Sequence, residues 1–79
     1  MNRQEIKRIL KLHIFRNLDV SRETGISVNI ISGMTSERLN IEKVSQDKID
    51  KLNQYFASFN FDYSRPEDIK RETIYTQLW

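Results

Sequence analysis

The stretch that most constrains this chain is NLDVSRETGISVNIISGMTS, Asn17 to Ser36, which holds both of its glycines, Gly25 and Gly33. Glycine enters a left-handed turn without steric cost, and a serine just before a helix can accept a hydrogen bond from that helix's first turn. ETGIS therefore predicts a helix, a tight turn at Gly25 and a second helix capped by Ser27. Apolar spacing agrees, with Val20 before the turn, Ile26 directly after Gly25, and Ile31 and Met34 where a second short helix turns inward. Ser21, four residues before the glycine, is small, as two helices crossing steeply at close range require.

The segments on either side read as further helices. Asn2 caps the first, with Glu5 placed to complete a capping box, and the pattern predicts a helix to about Phe15. Ile6, Ile9, Leu10 and His13 recur at three and four, with Leu12 and Phe15 widening the stripe, so His13 is expected as a half-buried packing residue. Arg3, Lys7 and Lys11 form a separate basic row at i, i+4, which suits a solvated face or a polyanion equally well. Asn17 or Asp19 starts the second helix, which ends at Thr24. The third runs from Val28 to about Ser36 with Ile31 and Met34 inward and Val28, Asn29, Ser32 and Gly33 toward the other side. Gly33 costs a helix ~1 kcal/mol relative to Ala, which implies either a close backbone approach or early fraying.

Thr35 to Ile41 reads as a loop carrying Arg38, and Ser45 as the next cap. Ile49, Leu52, Phe56 and Phe59 then give a strong buried stripe, opposite a mixed face of Asp47, Lys48, Asp50 and Lys51. Ser64 with Glu67 reads as a second capping box around Pro66, which predicts a fifth helix from Arg65. The end, TIYTQLW, alternates as a strand does, so residues 73–79 are helix or extended. Tyr75, Leu78 and Trp79 need burial, against the domain or against a second subunit.

Length and composition bound the function. Seventy-nine residues without cysteine make one domain, 1–79, with a core over residues 3–59 and a C-terminal helix or dimerisation segment over 64–79. A single core of this size supplies roughly 3 to 5 kcal/mol, so pairing of two copies is a useful source of buried surface. No apolar run approaches the ~20 residues of a membrane span, and a cytoplasmic protein is expected. Residues 1–40 hold seven Lys or Arg against four Asp or Glu, and residues 41–79 hold six against seven. The basic half is the one with the glycine turn. No phosphate-binding loop, dinucleotide-binding glycine pattern, Cys or His cluster or nucleophile elbow occurs. Neither catalysis nor a metal nor a cofactor is therefore expected.

The order of elements, an amphipathic first helix, NLDVSRETGISVNIISGM, a loop and a helix ending KIDKLNQYF, resembles the Cro and lambda-repressor type of helix-turn-helix DNA-binding domain. Residues 3–59 carry the resemblance, through apolar Val20, small Ser21, Gly25 and apolar Ile26, Ile31 and Met34. Thr24 departs from it where the family has a small or apolar residue, and Thr35 where many members have an acid. The fold implied is all-α, a compact bundle of about five helices with the helix-turn-helix at 17–36.

By the same resemblance, the base-reading positions fall on Ser27, Val28, Asn29, Ser32 and Gly33, and a backbone-contacting amide falls on Asn17. Arg22, Arg38 and Lys43 are phosphate candidates from charge and placement. The recognition face lacks Arg, Lys and Gln, but Asn29 can pair with adenine N6 and N7 and Val28 can pack on a thymine methyl. The implied function is sequence-specific binding of double-stranded DNA by a small phage- or plasmid-type transcriptional regulator, a repressor acting as a homodimer on a palindromic operator. The alternative is a protein-interaction module on the same fold, an antirepressor or inhibitor of a host protein, which an uncharged third-helix face would suit.

Overall fold

Four amphipathic segments in this chain find their helices, and the turns between them decide which side chains meet. The computed structural model describes residues 1–59 and 61–69. Within them the chain forms α1 (Arg3–Lys11), α2 (Asn17–Thr24), α3 (Val28–Thr35) and α4 (Gln46–Ala57), with 3₁₀ turns at Ile41–Lys43 and Pro66–Asp68 and no strand among the described residues. No helix among them is long and apolar enough to cross a membrane.

The capping box that starts α1 is formed: the Glu5 N–H donates to the Asn2 side chain at 2.8 Å and the Asn2 N–H to the Glu5 carboxylate at 3.1 Å. The helix ends earlier than its apolar pattern predicts, at Lys11. His13 takes a left-handed conformation, φ 54°, and its side chain is exposed, as is Leu12. This corrects the expected helix to Phe15 and the packing role of His13. The reason is geometric: a break at His13 lets Ile14 and Phe15 enter the core from the link, where a continued helix would have carried one of them to the surface.

Val20, Ile26, Ile31 and Met34 are buried as their spacing predicts, together with Ile49, Leu52, Phe56 and Phe59 of the last helix and its end. Burying side chains of this size stabilises the fold by about 1.5–3 kcal/mol each. Phe15 lies at the centre of an aromatic cluster, its ring centroid 5.1 Å from those of Phe56 and Phe59 and 5.5 Å from that of Tyr55. Tyr63 ties the following segment to this cluster by donating its hydroxyl to the Phe56 carbonyl at 2.6 Å, and burial pushes its phenol pKa up.

The expected helix starts have three different outcomes. Of Asn17 and Asp19, Asn17 is the residue that starts α2, and Arg16 before it makes no side-chain cap. Ser45 precedes α4 as expected, but its hydroxyl accepts from Lys48 Nζ at 3.4 Å and makes no cap bond. The Ser64–Glu67 capping box is absent. Asp62, its carboxyl held below the usual range by these bonds, accepts from both the Ser64 N–H and hydroxyl, and Glu67 pairs with Arg8 instead. The described part of the expected fifth helix is thus the short 3₁₀ turn at Pro66–Asp68. The described residues contain four α-helices, and residues 73–79, with Tyr75, Leu78 and Trp79 expected as dimer contacts, lie outside the described residues.

Candidate nucleic-acid interface

The link between α2 and α3 is held by side chains on both sides of its glycine. Gly25 has φ 75°, and its N–H donates to the Ser21 carbonyl at 2.8 Å, closing α2 with a left-handed residue. Ser21 Oγ donates to the Ile26 carbonyl at 2.6 Å, and Thr24 Oγ1 donates to the Val20 carbonyl at 2.6 Å while accepting from the Ile26 N–H at 3.2 Å. Both backbone groups of Ile26 are thereby satisfied as its side chain enters the core. Ser27 then caps α3, accepting from the Asn29 N–H at 3.2 Å.

The outward side of α3 is narrower than its sequence implies. Ser27 and Asn29 are exposed, Val28 and Ser32 half-buried, and Gly33 is buried. The expectation that Gly33 lies on the outer face is therefore corrected: the chain returns over it, and a Cβ built on Gly33 would lie 2.8 Å from Cγ and Cδ1 of Leu39. Of close approach and fraying, close approach is the one observed, and Gly33 is shielded from any ligand of this face. No hydrogen bond from a described side chain reaches the Asn29 carboxamide, which leaves its donor and acceptor available together.

The cations divide sharply by partner. Lys7 and Lys11 share Glu37, at 2.9 and 3.5 Å, and Arg8 pairs with Glu67. Arg22, 72% exposed, lies 3.0 Å from Asp19 and 3.6 Å from Glu23, while Lys51 pairs with Asp47 and Arg65 with Asp68. Arg3 donates to the Ile41 carbonyl at 2.7 Å and to that of Val44, fastening the 3₁₀ turn to α1. The basic row of α1 is accordingly occupied within the fold. Arg38, Lys43 and Lys48 are different: none has a carboxylate partner among the described residues. Among the described residues Arg38 reaches two hydroxyls, Ser36 at 3.0 Å and Ser32 at 3.4 Å.

All three line one open groove between α3 and α4. The structure thus brings Ser32, Arg38 and Lys43 to one side of the molecule, with Asn29 one turn from Ser32 on the same helix. Arg22 has its charge offset by two carboxylates. Asn17 is half-buried, and its Oδ1 is shielded with no hydrogen-bond partner. Lys48 was not legible as part of this site, because on its own helix it alternates with acids as an ordinary solvated face does. Only the return of the chain over Gly33 places it near Arg38. Among the described residues no three His, Cys, Asp or Glu are grouped to hold a metal ion.

No family model, curated protein or solved structure matches the chain. Its function must be read from this geometry.

Proposed function

We propose that the α2–Gly25–α3 unit is a helix-turn-helix and that the protein is a sequence-specific DNA-binding regulator of the small phage or plasmid kind. Two such chains would occupy a palindromic operator, with half-sites one helical turn, ~34 Å, apart, and repress by occlusion. The observation that carries this reading is the placement of an unoccupied, exposed Asn29 carboxamide on the first turn of α3, on the helix whose far end meets Arg38. An asparagine carboxamide offers one donor and one acceptor, the complement of adenine N6 and N7 in the major groove. Val28 beside it can meet a thymine methyl, so an A·T-rich half-site is favoured. Ser27 and Ser32 add short polar contacts. Arg38 and Lys43 take phosphates, since no carboxylate among the described residues has to be displaced from them first.

The test is gel retardation with the DNA upstream of the protein's own gene at two salt concentrations, alongside the molecular mass of the chain in solution. A shift that weakens with salt and a dimeric mass are expected. Asn29→Ala should lose about 1–3 kcal/mol at one preferred base pair and little elsewhere. Absence of a shift at low salt, or an Asn29→Ala protein with unchanged base preference, overturns the reading.

A further inference from the structure

The groove between α3 and α4 combines two properties of which a phosphate chain uses only one. Its charged lining is Arg38, Lys43 and Lys48 and its apolar lining Ile30, Leu39 and Val44, with Asn40 and Ser45 completing it. Leu39 remains 41% exposed, and Ile30 and Val44 are only partly buried. The groove is broadly open to solvent and has a volume of about 660 Å³, inside the ~300–1,000 Å³ range of clefts that take a ligand. Phosphates would neutralise the cations and leave the apolar lining wet. Apolar surface combined with charge is the composition of a protein-docking patch.

We infer that this groove docks an acidic segment of a partner protein, with one apolar or aromatic side chain seated on Ile30, Leu39 and Val44 and flanking carboxylates paired with the three cations. Charge complementarity selects the occupant: the lining presents three positive groups and, among the described residues, no acid, and charge-assisted bonds to carboxylates are the strong ones. Docking itself does not depend on duplex binding. One consequence does rest on the proposed function: Arg38 and Lys43 cannot hold phosphates and carboxylates together, so the segment would release the protein from DNA.

The experiment measures binding by fluorescence anisotropy at ~0.15 M salt, where surface attraction is screened beyond about 8 Å. The probes are a fluorescein-labelled nonapeptide of aspartate and glutamate with one central phenylalanine and the same peptide with serine at its centre. The phenylalanine peptide should bind the wild-type protein at least about tenfold more tightly, the scale of one well-buried side chain. Leu39→Ser should erase that difference, with Val44→Ser as the second variant if the first melts early. Lys43→Glu with Lys48→Glu should weaken both peptides about a hundredfold or more, whereas Lys51→Glu, outside the groove but one turn from Lys48, should weaken them far less. Equal binding of the two peptides, absence of binding, or an equal effect of Lys51→Glu overturns the proposal. If DNA is retarded and neither peptide binds, docking alone fails. If the phenylalanine peptide binds and no DNA is retarded, docking stands and the duplex reading fails.

Discussion

Leu39 lies over Gly33 so closely that a Cβ on the glycine would sit 2.8 Å from two Leu39 carbons, while the Leu39 N–H donates to the Gly33 carbonyl at 3.1 Å. The backbone is fixed by that bond, so only the Leu39 side chain can yield. Gly33→Ala gains about 1 kcal/mol of helix propensity but pushes Leu39 outward. In a Leu39→Ala background nothing is left to push, because the remaining Leu39 Cβ is 3.5 Å away. Urea unfolding of the four proteins in this double-mutant cycle should show Gly33→Ala stabilising by about 1 kcal/mol without Leu39 and by less with it.

Gly25 is constrained for another reason. An added Cβ there meets nothing within 4 Å, yet φ is 75°. The cost of Gly25→Ala is thus conformational, about 1–2 kcal/mol, and thermal melting should place Gly25→Asn between alanine and wild type because asparagine tolerates the left-handed region. Equal losses for alanine and asparagine would point to a steric cause instead.

Glu37 should make stability depend on pH in the acid range. A hydrogen bond from Lys7 and the nearby charge of Lys11 hold its carboxyl below the ordinary range. A depressed pKa contributes stability that is complete above the unfolded value, about 4.3, and is lost as pH falls through the lower folded value. The difference in Tm between wild type and Glu37→Gln should therefore be present at pH 7, close below about pH 4, and narrow in high salt. A difference that persists at pH 2 would locate the effect elsewhere.

If Arg38 and Lys43 each neutralise one phosphate, replacing either by alanine should reduce the slope of log K against log salt by about 0.9 while leaving base preference intact. Lys51→Ala should leave the slope alone, since that lysine faces Asp47 and lies outside the groove.

The Asn2–Glu5 box, the Gly25 turn, the Ser27 cap and the buried positions of Val20, Ile31, Met34, Ile49, Leu52 and Phe56 were all legible in the residues. Each depends on contacts a few residues apart or on a regular apolar period. His13 was misplaced because a run of apolar neighbours satisfies a helical period whether or not the chain stays helical. Ser64 and Glu67 were at capping distance, but Asp62 and Arg8 compete for their bonding groups.

The sequence by itself determined that the chain is helical, where it turns sharply after α2 and which side of each helix is apolar, since backbone preference and side-chain periodicity are local. Tertiary structure alone decided which polar groups remain available. Arg3, Lys7 and Lys11 look like the basic face, yet they are taken up by carbonyls of Ile41 and Val44 and by Glu37. Gly33 looks like part of the outer surface, yet Leu39 covers it. Lys48 looks like one charge among many, yet it shares with Arg38 and Lys43 a groove without an acid among the described residues. The physical reason is that charge and exposure are properties of neighbours, and the partners of the α1 cations lie more than twenty-five residues away in sequence, or arrive only when the loop after α3 folds back.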